Sequence, residues 1–261
     1  MMPTSNKIVG LIPAGGSAQR IAPLPCSKEI YPIGLKKKSG IGTRSKAVCE
    51  YLLEKMKIAG VDNVFIVIRK DKSDIPGYLG DGFEFGLNLA YLIMRNPHGA
   101  PFTLDQAYHF IKDDNIAFGF ADIIFQPDDA YNRLIHHQIK SGAEIILGVF
   151  PATNPSIMDM VDVDKSGKVR SIEIKPNKTN LQYTWLIAVW TPVFTQFMHE
   201  YLLKSDTELS ESGKGKELHV GDVIQAAIDK GLHVGSVMFP DADYLDIGSP
   251  DNLEKAIQKF S

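Results

Sequence analysis

Residues 7–16, KIVGLIPAGG, decide the fold class. Ile8, Val9, Leu11 and Ile12 form a short apolar run that stops at Ala14, Gly15 and Gly16. A run of this length bounded by glycines reads as a buried strand entering a tight turn. The same texture recurs outward. Strand-like runs at 63–69 (NVFIVIR), 87–94, 115–120 (NIAFGF) and 143–151 (AEIILGVFP) alternate with helical stretches at 45–59, 104–111 and 131–141. Within 45–59, Val48, Leu52, Met56 and Ala59 keep helical spacing, and Gly60 predicts the stop. Parallel neighbours need a crossover, and helices supply it. The alternation therefore predicts an α/β, Rossmann-like fold: a mostly parallel mixed central sheet flanked by helices.

From about Met160 the pattern shifts. The stretch MVDVDKSGKVRSIEIKP predicts two short strands around a turn at Lys165, Ser166 and Gly167. A strand follows at 186–190, helices at 193–203 and 220–230, and late strands at 232–239 and 244–247. The polar, glycine-containing stretch 203–218 reads as a mobile loop. Trp185 and Trp190, five positions apart in a strand, are expected on opposite faces. The chain is expected to be one α/β domain with an embedded β-rich portion.

Composition narrows the function classes. The 261 residues are 44% hydrophobic and 23% charged, which suits an ordinary soluble protein with a sizeable core. A net charge of -3, from 28 basic and 31 acidic residues, argues against nucleic acid or a membrane surface as partner. No apolar run approaches the ~18 residues of a membrane span. The N-terminal stretch lacks a cleavage-site pattern, so no signal peptide is expected. Cys26 and Cys49 cannot build a disulfide framework, and a reducing cytoplasm is the expected compartment.

Chemistry concentrates in residues 11–33, LIPAGGSAQRIAPLPCSKEIYPI. Glycines after a strand let backbone amides approach an anion closely. Arg20 and Lys28 add positive charge. Elsewhere, His136 and His137 are adjacent in a predicted helix and so diverge, which disfavours a shared metal. Lys36, Lys37 and Lys38 read as a solvated loop, and Cys26 as non-catalytic.

The combination P-A-G-G-x-x-x-R followed by S-K-E-I-Y-P-I resembles the opening of the sugar-phosphate nucleotidylyltransferases, with glucose-1-phosphate thymidylyltransferases as the nearest branch. Their usual form is L-A-G-G-x-G-T-R-L-x-P-x-T, then P-K-x-L-x-P-V. The likeness recurs in order: YLGDGFEFGLNL at 78–89, FADIIF at 120–125, IEIKP at 172–176, GDVIQAAIDKG at 221–231 and YLDIGSPDN at 244–252. It implies transfer of a nucleotidyl group from a nucleoside triphosphate, dTTP or UTP, to a sugar 1-phosphate, with release of pyrophosphate. Such chemistry rests on positioning and charge neutralisation.

The resemblance also assigns roles. Arg20, Lys28 and Lys175 are the expected catalytic residues. Pro13, Ala14, Gly15, Gly16, Gly99 and Asp122 would bind the nucleotide. Glu173, Lys175 and Trp185 would bind the acceptor. Asp122 and Asp246 would share Mg²⁺, which favours carboxylate and phosphate oxygens. The nucleotide-binding half would cover about 1–150 and the acceptor-binding portion about 151–261. With only nine residues after YLDIGSPDN, any homo-oligomer is expected to assemble through the core itself.

Several positions depart from the family form. The glycine and threonine before the arginine are Ala18 and Gln19, and the base-reading segment reads M-R-N-P-H-G-A-P-F-T-L-D-Q-A, with Arg95 in place of glutamine. In the acceptor region, the glutamate before the lysine of E-K-P is Ile174, and the glycine of T-G-L is Trp185. An isoleucine accepts no hydroxyl hydrogen bond and a tryptophan fills volume. These changes predict an acceptor less hydroxylated than glucose 1-phosphate. Two other functions fit the same residues: a catalytically weak nucleotide-binding regulator, and a CTP-dependent enzyme for an alcohol phosphate such as choline phosphate, whose ammonium would suit an aromatic wall.

Overall fold

The structure is a computed structural model and describes residues 7–38, 42–95, 98–212 and 217–260. The first half contains β1 (Ile8–Ala14), β2 (Pro32–Lys38), β3 (Gly42–Ala47), α1 (Val48–Ile58), β4 (Asn63–Ile68), α2 (Asp74–Leu79), β5 (Asn88–Ile93), α3 (Ala100–Asp105), α4 (Tyr108–Ile111), β6 (Asn115–Gly119), β7 (Ile123–Phe125) and α5 (Ala130–Ser141). The second contains β8 (Ile145–Pro151), β9 (Asp159–Val163), β10 (Val169–Ile174), β11 (Tyr183–Trp190), α6 (Pro192–Ser212), α7 (Val220–Asp229), β12 (Val234–Met238), β13 (Tyr244–Asp246) and α8 (Pro250–Phe260).

A nine-stranded mixed sheet organises the molecule. β1 lies between β4 and β6, parallel to both, and β5 extends this parallel region. β11 runs antiparallel between β6 and β8, and β12 lies parallel to β8. The β9–β10 hairpin joins β11 at Thr184. The α/β class and the mixed central sheet are as expected.

Alternating side chains feed two cores. On β1, Ile12 and Ala14 enter one apolar cluster while Val9 and Leu11 enter the other. β4 does the same with Val64, Ile66 and Ile68 against Val67. Leu52, Leu53 and Met56 of α1, with Tyr131 and Leu134 of α5, close the first face. Phe194 and Met198 of α6, with Val223 and Ile224 of α7, close the second. Each such buried aliphatic or aromatic side chain contributes about 1.5–3 kcal/mol relative to exposure. A smaller core joins Ile33, Val48, Ile124, Ile247 and Ala256, docking α8 against the β2–β3 hairpin. No helix of the described residues is long and apolar enough to cross a membrane.

Four local expectations are corrected. The helix expected over 45–59 begins at Val48, because Ser45, Lys46 and Ala47 pair with β2. Lys36 accordingly lies in a strand and forms an ion pair with Glu54, so it is not a solvated loop residue. The expected loop at 203–218 is helical as far as Ser212, as α6 continues past its apolar face; residues 213–216 lie outside the described residues. Trp185 and Trp190 face the same side. A bulge at Leu186 adds a residue between Trp185, opposite Val149, and Ile187, opposite Gly148, which resets the parity. Both indoles consequently pack on Phe118, with centroids at 5.9 and 5.4 Å.

Candidate active site

β1 and β6 are parallel neighbours, so the loops after Ala14 and Gly119 emerge at the same sheet edge. Two cavities open there. One, of about 370 Å³, is lined by Pro13, Gly15, Gly16, Lys28, Gly99 and Asp122 among others. The second, of about 240 Å³, includes Asp122, Asp159, Lys175, Trp185, His219 and Asp246 in its wall. Ala100, Phe120, Asp122 and Glu217 line both. Asp122 therefore stands at the seam.

The glycine-loop cavity depends on absent side chains. A Cβ on Gly16 would stand 3.6 Å from Lys28 Nζ, in the space beside the ammonium. Gly99 has φ +119, and a Cβ there would come 2.1 Å from the Leu218 carbonyl oxygen. Only glycine allows that contact between the two halves of the site. Ala18, which replaces a family glycine, adopts a left-handed conformation with φ 54.

Lys28 is set on a short turn that is tied down on both sides. The Ser27 backbone N–H and hydroxyl donate to the two oxygens of Asp74 at 2.7 and 2.8 Å. Glu29 accepts from buried Lys72 at 2.7 and 2.8 Å. Between these anchors Lys28 forms an ion pair with Asp122. Burial opposes its charge, but the Asp122 carboxylate prevails and holds the ammonium above its ordinary value.

Asp246 reaches Asp122 through a two-stranded ribbon. β13 pairs antiparallel with β7, with Asp246 opposite Ile123, and Ile247 N–H donates to the Asp122 carbonyl at 3.1 Å. Gly248 N–H donates to Asp246 Oδ1 at 2.8 Å. Burial, followed by the charge of Asp122, pushes the Asp246 carboxyl above its usual range. Lys28 pairs with Asp122, and the charges of Lys28 and Arg20 both act on Asp246, so the fit of a hard divalent cation rests on the two carboxylates lying side by side rather than on an excess of negative charge. Among the described residues no group of three or more His, Cys, Asp or Glu could hold a metal ion. Two carboxylates completed by substrate phosphates are the usual surroundings of such a cation.

The second cavity combines an apolar wall, from Phe120, Ile157, Met158 and Trp185, with Asp159, Lys175 and His219. Lys175 follows the last residue of β10 with φ 44, an uncommon conformation for a side-chain-bearing residue. Its backbone N–H donates to the Met158 carbonyl at 3.1 Å, and its Nζ lies 2.6 Å from His219 Nε2. Burial pushes the Asp159 carboxyl above its usual range, against the opposing charge of Lys175.

Not every expected residue arrives. Ala14 is buried in the core and does not line the glycine-loop cavity, since β1 alternation turns it away from Pro13. Glu173 is exposed on β10 and absent from the cavity wall, while its neighbour Ile174 packs against the second core. Arg20 lies beside the Asp246–Gly248 turn and α8, with Nη2 3.0 Å from where a Gly248 Cβ would stand. Sequence reading missed Asp159, Glu217 and His219. Asp159 enters through the β9–β10 hairpin opposite Ile174, and His219 through its contact with Lys175; neither they nor Glu217 sit in a motif that marks a ligand.

A family described as nucleotidyl transferase matches residues 9–261. The low-salt glycan biosynthesis nucleotidyltransferase Agl11 of Haloferax volcanii is 26% identical over 254 residues, covering 95% of this chain and 65% of that protein. The glucose-1-phosphate thymidylyltransferase of Mycolicibacterium smegmatis is 27% identical over 249 residues, covering 94% of this chain and 79% of that one. A Bacillus anthracis crystal structure in complex with sucrose superimposes with TM-score 0.80 at 20% identity, covering 97% of this chain and 94% of that one. This chain thus spans just under two thirds of the Haloferax protein and about four fifths of the Mycolicibacterium one.

Proposed function

The chain belongs to the nucleotidyl transferase family, and we propose from that premise that it joins a nucleoside triphosphate to a sugar 1-phosphate. The products are a nucleoside diphosphate sugar and pyrophosphate. One observation carries the reading: the glycine-loop cavity and the Lys175 cavity share a wall at Asp122. A nucleotide in the first and a phosphate acceptor in the second would meet there.

In this reading Pro13, Gly15, Gly16 and Gly99 shape the nucleotide side. Lys28, fixed by the Ser27 and Glu29 anchors, faces the α-phosphate and answers the charge that develops there. Lys175 holds the acceptor phosphate so that its oxygen lies in line with the α-phosphorus. That oxygen forms the new P–O bond, and the bond to the β-phosphate breaks with its electrons leaving on pyrophosphate. Arg20 lines neither cavity; it stands beside the Asp246 turn and would act on the departing phosphates through its charge. Asp122 and Asp246 would hold Mg²⁺, which when bound neutralises phosphate oxygens. Relatives named as glucose-1-phosphate thymidylyltransferases favour dTTP or UTP as donor.

The acceptor itself is read as less hydroxylated than glucose 1-phosphate. Trp185 and Met158 wall the cavity, and Glu173 stands outside it. A second reading, a CTP-dependent enzyme for an ammonium-bearing alcohol phosphate, draws on Asp159 lying near the Trp185 wall. The test is pyrophosphate release with each nucleoside triphosphate, Mg²⁺ and a panel of sugar and alcohol phosphates. Release with dTTP or UTP and a sugar 1-phosphate supports the first reading. CTP with an alcohol phosphate supports the second, and no release with any pair overturns both.

A further inference from the structure

We propose that His219 is a positioning residue that presents Lys175 to the acceptor phosphate; this rests on the acceptor reading of the second cavity. Lys175 Nζ lies 2.6 Å from His219 Nε2. An ammonium has only donors, so this ring nitrogen accepts. The other ring nitrogen then carries the proton. It lies 3.4 Å from Asp222 Oδ2, buried and without a hydrogen-bond partner of its own. Asp222 is itself held in place, accepting from the His219 backbone N–H at 2.8 Å at the start of α7. The charged groups facing the imidazole are therefore Lys175 after β10, Asp222 on α7 and Asp159 on β9.

The chemical type of the partner matters. Lys28 is paired with a carboxylate, which neutralises it. The hydrogen-bond partner of Lys175 is an imidazole, which accepts without itself cancelling the charge; Asp159 acts on Lys175 only through its field and forms no ion pair with it. Such a lysine is oriented yet still available to an anion. A lysine side chain carries about 2 kcal/mol of rotamer entropy, and fixing it before the acceptor arrives removes that cost from binding. The backbone supports the same end. A left-handed conformation at a non-glycine residue costs on the order of 1–3 kcal/mol and persists only where its surroundings impose it. Here the Met158 carbonyl holds the Lys175 N–H and His219 holds its Nζ.

The test uses two substitutions and two readouts. Gln places an amide oxygen near the Nε2 position, whereas Phe keeps ring volume and removes the acceptor. We expect His219→Phe to raise the acceptor KM by roughly 10- to 100-fold, as expected for one charge-assisted hydrogen bond, with the nucleotide KM unchanged. His219→Gln should stay within about threefold of the parent, a margin below the tenfold that one such bond is worth. In parallel, the ¹³C-labelled lysine ε-methylene signal of Lys175, identified by its disappearance in Lys175→Arg, should be that of a fixed side chain in the parent and Gln variant. It should be motionally averaged in the Phe variant. An unchanged acceptor KM in His219→Phe, or a loss equal in the Gln and Phe variants, overturns the proposal. If no phosphate acceptor is used by the parent protein, the acceptor reading has failed. The lysine signal still decides whether His219 fixes Lys175.

Discussion

Glu29 and Lys72 form a buried ion pair in which both carboxylate oxygens lie within 2.8 Å of the ammonium, directly beside Lys28. Removing one partner leaves an uncompensated charge in the interior, which costs about 3–5 kcal/mol. Lys72→Met should lose stability of that order in urea unfolding. Combining it with Glu29→Leu should recover most of the loss, since a well-packed apolar pair can replace a buried ionic one. A single substitution without effect would mean that the pair does not anchor the Lys28 turn.

Asp122→Ala and Asp246→Ala should each reduce pyrophosphate release by at least ~100-fold while leaving the thermal transition in place. Lys28→Ala should fall in the same range. The carboxylate readout is direct: full activity in both aspartate variants removes their assignment to the cation.

Gly99→Ala puts a methyl group where the Leu218 carbonyl oxygen already stands and asks alanine to keep φ +119. Strain of this kind costs on the order of 1–3 kcal/mol. The expected outcome is a raised nucleotide KM with a lowered midpoint of unfolding. A variant with parental kinetics would show that the Gly99–Leu218 contact does not shape the cavity.

Asp164 offers a pH test away from the site. Hydrogen bonds from the Ser166 hydroxyl and N–H, at 2.6 and 2.8 Å, hold its carboxyl down to about 2. Its folded value lies below the unfolded one, roughly 3.9. The hairpin therefore has this support in full above the unfolded value and loses it as pH falls toward about 2. An NMR titration of Asp164 should show the depressed midpoint, and Ser166→Ala should raise it. A midpoint in the ordinary carboxylate range would dismiss the turn contacts.

Acceptor choice can be read from kcat/KM ratios. A deoxy sugar 1-phosphate should be used more efficiently than glucose 1-phosphate, because Phe120, Ile157, Met158 and Trp185 give one side of the cavity an apolar wall. Equal efficiency across the panel would sink this preference.

The class of fold was legible because β1, β4, β6 and β8 are apolar on both faces, a pattern that only a covered sheet satisfies. The pairing of Lys28, Asp122 and Asp246 was reachable only through the motif resemblance, since the β7–β13 ribbon that unites the aspartates has no local signal. The β2–β3 hairpin escaped for a different reason: its residues are lysine-rich, and their pairing depends on Glu54 of α1 supplying charge. His219 escaped because its partner Lys175 lies across a turn, a hairpin end and a helix start. Glu173 misled because an E-x-K spacing on a strand cannot say which of two faces is the cavity.

The bulge at Leu186 divides β11 into two segments that answer to different demands. Residues 187–190 keep the alternation of the core, whereas Thr184, Trp185 and Leu186 line the cavity that holds Lys175. The extra residue acts as a slip joint. It gives the residues ahead of it a facing that the unbroken alternation of 187–190 would not. Under the proposed function, acceptor choice would be set at a segment whose Trp185 serves the cavity wall and the packing on Phe118 at once.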